Sequence, residues 1–222
     1  GSGGLGEDWP FPCDNADAIA YRPSTGRVAL NPTNNGIREW DGAGYLTLET
    51  GSTSDGLVED SQGRLWTMGN YFSLRYHDGS GFQSVPIAGW GSNVVQDPDR
   101  PGAVWACANL EVVRTDGTYI YSRENTDLPE LNPMNDVLTT VAAAPGGVAW
   151  LGSTDGRFRL DAEGGTHDWF HPSNSDLPGE RVWPLVVSPD GLVWLTNFGS
   201  SGVAGSLVWF DGNEFGTITR AD

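Results

Sequence analysis

Four tryptophans recur along this chain at nearly regular intervals, and each directly follows an apolar residue. They are Trp66, Trp105, Trp150 and Trp194, separated by 39, 45 and 44 residues. Each comes after an apolar run and a glycine-containing turn, and each precedes a segment that alternates apolar and polar residues. A repeat of about 40–50 residues that holds four short strands is typical of a β-propeller blade. The spacing therefore predicts an all-β chain.

A fifth, less regular unit precedes these four. Residues 18–21 fit its inner strand, residues 24–26 fit its turn, and Val28 takes the tryptophan position, 38 residues before Trp66. Terminal repeats are often atypical, so the missing tryptophan agrees with a blade at this place. We predict a single five-bladed β-propeller of four-stranded antiparallel blades, preceded by an N-terminal arm or linker at residues 1–16. The predicted blades span residues 17–52, 53–89, 90–134, 135–180 and 181–222.

The last blades carry a family resemblance. The segment NSDLP at 174–178, followed by VSPDGLVW at 187–194, has earlier counterparts in NTDLP at 125–129 and EDSQGRLW at 59–66. This pattern resembles the two-component regulator propeller repeat over roughly residues 17–219. The resemblance implies the propeller fold and, loosely, a sensor role, because such propellers form the sensor ectodomains of membrane-bound kinases. Those propellers are usually seven-bladed, whereas five blades are predicted here and no kinase accompanies them.

The charge of the chain narrows the choice of partner. The formal net charge is −17, and arginine supplies every cationic side chain apart from the three histidines because lysine is absent. Such a surface repels nucleic acid phosphates and anionic membranes, so neither nucleic acid binding nor membrane insertion is expected. It favours cationic ligands, basic peptides or Ca²⁺. Aspartates in turns such as 97–99 lack the ligand spacing of an EF-hand loop, so no cofactor is expected and calcium stays an alternative.

The two cysteines allow two interpretations. Cys107 lies two residues after Trp105 on the same strand face, where a small buried thiol would pack between blades. Alternatively, a disulfide between Cys13 and Cys107 would tie the N-terminal arm across the ring, as an exported protein would favour.

No catalytic constellation is evident in the sequence. His77 falls at the end of a third strand, and His167 and His171 flank an outer strand. All three positions are expected on the propeller rim, where substrates are rarely enclosed. Nucleophile and zinc motifs such as G-x-S-x-G and H-E-x-x-H are absent. We therefore predict no catalytic residue and lean towards a protein that is not an enzyme.

A binding site is predicted where loops gather around the central channel. Aromatic side chains beside amides suit a sugar or another small polar ligand, because a ring face stacks on C–H surface while amides hydrogen-bond. The alternative is that asparagine shapes turns and the aromatic rings cover blade junctions. The predicted ligand-binding residues are Asn70, Tyr71, Trp90, Asn109, Asn135, Arg181, Trp183, Asn197 and Phe198.

The sequence thus predicts a non-enzymatic binding or interaction module that offers its channel face to a small polar ligand, such as a carbohydrate, or to a protein. A propeller lyase or hydrolase and a structural subunit of a surface assembly are the alternatives. The expected location is extracellular, periplasmic or on a bacterial cell surface. Because the ring must close between the first and last blades, the chain is expected to be a monomer or to self-assemble through that seam.

Overall fold

The chain is described by a computed structural model, whose described residues form strands, turns and loops. The structure describes residues 16–32, 36–49, 56–69, 73–87, 89–109, 111–116, 119–122, 138–154, 156–161, 166–198 and 205–218. Within these ranges there is no helix of the length and apolarity needed to cross a membrane. The described residues form five antiparallel sheets of four strands each, which confirms the predicted all-β fold of four-stranded antiparallel blades.

The strands follow one another in chain order. Sheet 1 contains β1 (Ala16–Arg22), β2 (Arg27–Pro32), β3 (Arg38–Trp40) and β4 (Tyr45–Thr47). Sheet 2 contains β5 (Leu57–Glu59), β6 (Leu65–Gly69), β7 (Ser73–His77) and β8 (Phe82–Pro86). Sheet 3 contains β9 (Gly91–Gln96), β10 (Val104–Ala108), β11 (Glu111–Arg114) and β12 (Tyr119–Ser122). Sheet 4 contains β13 (Leu138–Ala144), β14 (Val148–Ser153), β15 (Gly156–Asp161) and β16 (Thr166–Phe170). Sheet 5 contains β17 (Arg181–Val187), β18 (Val193–Phe198), β19 (Ser206–Phe210) and β20 (Phe215–Ile218).

Each sheet is a meander in which every strand pairs with the next one along the chain. The first strands of successive sheets contact one another from β1 through β5, β9 and β13 to β17. These five inner strands surround the channel, and the later strands of each sheet lie progressively further out. This is the arrangement of propeller blades.

In sheet 2 the turn between the first two strands is built by an aspartate and a glycine. In sheet 2, Asp60 Oδ1 accepts hydrogen bonds from the backbone N–H groups of Gln62 and Arg64, at 2.8 and 3.0 Å. Gly63 completes the turn with φ at 79°, a conformation that side chains with a Cβ rarely adopt. The sequence D-x-x-G therefore specifies a tight reversal that feeds directly into the tryptophan strand.

Apolar clusters between neighbouring sheets make up the core. We call the side of a sheet that faces the next sheet in chain order its forward face, and the opposite side its rear face. Trp66, Trp105 and Trp150 lie on forward faces and are 2%, 0% and 6% exposed. Four clusters join sheets 1 and 2, 2 and 3, 3 and 4, and 4 and 5. Burying an indole at a junction is a large apolar gain, which explains why the residue recurs once per blade.

Two of these indoles are also fixed by the turn aspartate. Trp66 Nε1 donates to Asp60 Oδ2 at 2.6 Å, and Trp105 Nε1 donates to Asp97 Oδ2 at 3.0 Å. Both the turn and the core residue are thus held by one carboxylate. In sheet 4 the turn has no aspartate, and the Trp150 ring packs against the rings of Phe170 and Phe210 at 6.1 and 5.7 Å.

The tryptophan position of the first blade was predicted one residue too early. Val28 pairs with Tyr21 on the rear face of sheet 1, whereas Ala29 pairs with Ala20 and packs in the cluster shared with sheet 2. In the other four blades the tryptophan lies three residues after the turn glycine, and the same spacing from Gly26 reaches Ala29 and not Val28. A shift of one residue moves a strand side chain to the opposite face.

Hydrogen bonds between successive turns join the first four blades at the end of the propeller opposite the loops that open into the channel. Arg22 Nη2 donates to the Gly63 carbonyl at 2.7 Å, Gly102 N donates to Ser61 Oγ at 2.8 Å, and Gly146 N donates to Asp99 Oδ2 at 2.6 Å. Each turn is therefore bonded to the next one, which fixes the angle between neighbouring sheets.

Candidate functional site

One cavity of about 530 Å³ is lined by residues of all five blades. It lies where the inner strands begin, at the mouth of the channel. A volume of this order suits a small molecule. The lining residues are Asp17, Ala18, Ile19, Gly56, Leu57, Ser92, Asn93, Thr139, Thr140 and Trp183.

Two of the hydroxyl groups that line this cavity, those of Ser92 and Thr139, donate their protons to backbone carbonyls of neighbouring blades. Ser92 Oγ donates to the Leu138 carbonyl at 3.4 Å, and Thr139 Oγ1 donates to the Val182 carbonyl at 2.9 Å. A hydroxyl that has donated its proton still has lone pairs to accept a hydrogen bond. The wall formed by these two residues therefore presents acceptors to a ligand.

Asn93 adds to this acceptor character. Its Nδ2 donates to Thr140 Oγ1 and to the Val141 carbonyl, both at 3.1 Å, so both amide protons are used inside the protein. Its Oδ1 accepts from Val94 N at 2.8 Å and keeps a second lone pair. The carboxylate of Asp17 is another acceptor, and it is the only charged side chain among the lining residues. A ligand for this wall must be rich in O–H or N–H donors.

Trp183 forms the aromatic part of the wall and was predicted as a site residue. The structure places it inside β17, paired with Thr196, and not in a loop as expected. An irregularity of the strand between Trp183 and Leu185 changes the side-chain alternation at this point. The indole is 52% exposed and borders the cavity, where it can stack against a ligand.

Trp90, the second predicted aromatic residue, immediately precedes β9 and is 56% exposed. Asn109 fixes its backbone, because Asn109 Oδ1 accepts from Trp90 N at 2.8 Å while Asn109 N donates to the Trp90 carbonyl at 2.9 Å. Trp90 lies two residues before Ser92 of the cavity wall. The predicted amide therefore holds a loop in place beside the cavity.

Asn197 and Arg181 lie apart from the cavity lining. Asn197, predicted in a loop, is buried in β18, and its Nδ2 donates to the Gly179 carbonyl at 2.7 Å. Arg181 is exposed at the start of β17, where its backbone pairs with Phe198, the last residue of β18. Both strands extend further towards the channel mouth than the sequence predicted.

The remaining predicted site residues, Asn70, Tyr71 and Asn135, lie outside the described residues. Sequence reasoning left Asp17, Ser92, Thr139 and Thr140 out of the site, although these residues line the cavity. The available signal was their position, because each lies at or near the start of an inner strand, where all blades meet. The polar pairs Ser92-Asn93 and Thr139-Thr140 recur there in adjacent blades.

A second cavity, of about 380 Å³, lies at the turn end between sheets 2 and 3. Charged groups in its lining form hydrogen bonds and ion pairs within the protein. Arg64 Nε donates to Asp60 at 2.7 Å and its Nη2 donates to the Gly102 carbonyl at 2.5 Å, while Arg100 Nη1 lies 2.9 Å from Asp116. This cavity is therefore part of the junction between two turns.

Cys107 is a free thiol with none of its side chain exposed, in the cluster between sheets 3 and 4. Burial raises the pKa of this thiol, which makes it a poor nucleophile. The structure thus favours a packing role over a bond to Cys13, which lies outside the described residues.

The described ranges contain no cluster of metal-ligating side chains, and the two histidines with described ring contacts, His77 and His171, lie away from the channel cavity. No group of three or more potential ligand side chains is close enough there to hold a metal ion. The His171 ring stacks on Trp169 at 5.0 Å, and its Nδ1 lies 2.7 Å from Ser173 Oγ. His77 packs against the Phe82 ring at 5.0 Å. These two histidines contact the outer strands of their blades and do not line the channel cavity.

Comparison with known proteins gives a fold and no closer relationship. No family model matches the chain, and no curated protein matches it. Among solved structures it is similar to the extracellular domain of a protein described as a hybrid two-component system from B. thetaiotaomicron, with TM-score 0.70 and 15% identity. That match covers 95% of this chain and 30% of the other.

Two enzymes are also similar in structure. A gluconolactonase from Xanthomonas campestris matches with TM-score 0.60 and 15% identity, over 91% of this chain and 74% of that one. An ancestral GH74 enzyme matches with TM-score 0.67 and 12% identity, over 93% and 32%.

These similarities confirm the propeller and the predicted likeness to extracellular domains of two-component sensors at the level of the fold. The chain spans only 22% to 30% of the length of the sensor ectodomains that it matches. Sensors and enzymes share this fold, so the fold by itself selects neither function.

Proposed function

We propose that this protein is a non-enzymatic binding module that takes a small, neutral or cationic ligand rich in hydrogen-bond donors at the mouth of its channel. The observation that carries the proposal is the cavity lined by all five inner strands, with one exposed indole and a wall of hydrogen-bond acceptors. A sugar or another polyol fits this chemistry, since its C–H face can stack on Trp183 while its hydroxyls donate to the wall.

Charge favours the same ligand class. Among the lining residues that the structure describes, the carboxylate of Asp17 is the one charged group. The whole chain adds a net charge of −17. A phosphorylated or acidic sugar would therefore be repelled, whereas a neutral sugar or an amine would not.

The sensor ectodomain among the structural neighbours supports a binding role outside the cytoplasm for this chain too. The two enzyme neighbours raise the alternative of a hydrolase. We prefer binding, because the described lining residues include one carboxylate, whereas acid–base hydrolysis of glycosides generally needs a pair.

Calorimetry with a panel of neutral mono- and disaccharides, polyols and arginine tests the proposal. Any ligand found should bind at least about fivefold more weakly to Trp183→Ala, since a stacked ring is worth on the order of 1 kcal/mol. The double variant Trp183→Ala/Trp90→Ala should abolish binding. Leu46→Ala is the matched control, because Leu46 is an exposed apolar residue on an outer strand away from the channel.

Unchanged affinity in the double variant would reject the channel mouth as the site. Tight binding of glucuronate or a sugar phosphate would reject the ligand class. Turnover of a lactone or a β-glucan by the purified chain, lost in Asp17→Asn, would replace the binding module by the enzyme alternative.

A further inference from the structure

The first and last sheets each expose one apolar face. Six of the eight large hydrophobic residues exposed within the described ranges lie on these two faces. Ile19 and Tyr21 lie on the rear face of sheet 1, and Trp183, Val186, Leu207 and Ile218 lie on the forward face of sheet 5. We call the two faces together the seam.

Residues of the seam are far more exposed than the residues at equivalent positions of closed junctions. Ile19 corresponds to Leu57, because Ala20 and Val58 are the neighbouring residues that pair with Ala29 and Trp66. Leu57 is packed against sheet 1 and is 8% exposed, whereas Ile19 is 68% exposed. Val186 corresponds to Ala142, since they pair with Trp194 and Trp150, and their exposures are 59% and 4%. In the described residues, no buried cluster joins sheet 5 to sheet 1.

We propose that the seam is a docking site for at least one further four-stranded sheet of the same repeat type, supplied from outside the five sheets described. At each of the four junctions in this chain, the forward face of one sheet packs against the rear face of the next. The forward face of sheet 5 and the rear face of sheet 1 are the two faces left without such a neighbour among the described sheets. The occupant that satisfies both is a sheet with leucine or isoleucine on one side and tryptophan on the other.

The place of the seam limits the size of its occupant. Ile19 and Trp183, one from each face, border the same channel cavity. The two faces therefore flank one gap in a ring of sheets. That gap suits blades inserted between the end sheets. It does not suit a whole second copy, because a copy docked on sheet 5 would bring its own second sheet against sheet 1 of the first molecule.

Cysteine pairs test whether the gap instead closes upon itself. Ile19→Cys with Val186→Cys, in a Cys13→Ser background, probes direct contact between the end sheets. Ala20→Cys with Leu57→Cys is the matched pair, because these positions meet at the closed junction of sheets 1 and 2. A disulfide requires Cα atoms within about 7 Å, so the matched pair should oxidise readily and the seam pair should not.

An appended blade tests the occupant. The full chain is extended at its C-terminus by a copy of its own residues 135–180, and hydroxyl-radical labelling of Trp183 and Tyr21 is measured by mass spectrometry. We expect labelling of Trp183 to fall several-fold and the thermal midpoint to rise. The control is the same extension with Trp150→Asp and Leu151→Asp in the copy only, which places a charge on both of its faces.

Three results would overturn the proposal. They are an intrachain disulfide in the seam pair, an interchain disulfide with a concentration-dependent mass, and equal labelling of Trp183 in the extended chain and its control. Protection of Trp183 without Tyr21 would support it and show a gap wider than one sheet.

Discussion

The junction between sheets 3 and 4 and the seam contain the same kinds of residue in opposite environments. At the junction, Trp105 is fully buried against Val141 and Leu151 of the next sheet. At the seam, the equivalent Trp194 is only partly buried, and its strand neighbour Val186 is exposed. The repeat therefore gives each blade two apolar faces, and each face is buried only where a neighbouring sheet packs against it.

Truncating the indole should separate the two environments most strongly. Trp105→Ala should lower the free energy of unfolding by about 3–5 kcal/mol, because it leaves a cavity and removes the partner of Asp97. Trp194→Ala should cost less than about 2 kcal/mol, since little packing is lost. Urea unfolding measures both. Equal losses would mean that the seam is closed in solution.

A charge placed on each face gives a second comparison. Ala142→Asp would bury an unpaired carboxylate against sheet 5 and should destabilise by about 3 kcal/mol or more. Val186→Asp, at the equivalent seam position, should change stability by no more than about 0.5 kcal/mol. Thermal and urea unfolding of the two variants report the difference. A large loss in Val186→Asp would show that a sheet already covers this face.

The turns sharpen the contrast in the same way. Asp97 accepts from Asp99 N at 2.9 Å, Arg100 N at 3.1 Å and Trp105 Nε1. Its loss also leaves the buried Arg114, 3.9 Å away, with one carboxylate fewer. Asp97→Ala should therefore cost about 3 kcal/mol. Asp190→Ala is the control and should lower the unfolding midpoint much less, because Asp190 is exposed and bonds to Ser188 within its own turn in sheet 5. Similar losses in both would reject the structural role assigned to Asp97.

The smallest effect concerns acid. Hydrogen bonds from the Ser80 hydroxyl and then from the Ser80 and Gly81 N–H groups lower the pKa of Asp78 below its ordinary value of 3.8. A carboxyl with a lowered folded-state pKa stabilises the fold above its unfolded pKa, and this contribution is lost as pH falls through the folded value. Asp78→Asn should therefore slightly weaken the fold at neutral pH and flatten the loss of stability below pH about 4. Ser80→Ala should reproduce part of the change, and an unchanged acid profile in both would contradict the assignment.

Most of the fold could be predicted from the sequence because each blade has a local sequence pattern. A turn with Asp60 and Gly63 followed by Leu65-Trp66 can be recognised without knowing which distant residues it contacts. The first blade was misassigned by one residue because no tryptophan marks its position. The spacing of three residues from the turn glycine, which holds for the four tryptophans, points from Gly26 to Ala29 and not to Val28.

The site was harder to predict because it depends on how far each inner strand extends. Trp183 was found from its residue type, although it was placed in a loop, since apolar patterning does not show where β17 begins. Ser92, Thr139 and Thr140 were missed because short hydroxyl residues near the start of a strand are common and carry no signal of their own. Only their convergence from separate blades makes them a wall, and convergence is a property of the whole ring.

Ile19 and Trp183 border the cavity and also belong to the two end faces. Binding of a blade in the gap and binding of a ligand in the channel are therefore energetically coupled. A blade that draws these residues together would alter affinity for the channel ligand, and thermodynamic reciprocity requires the ligand to alter affinity for the blade by the same factor.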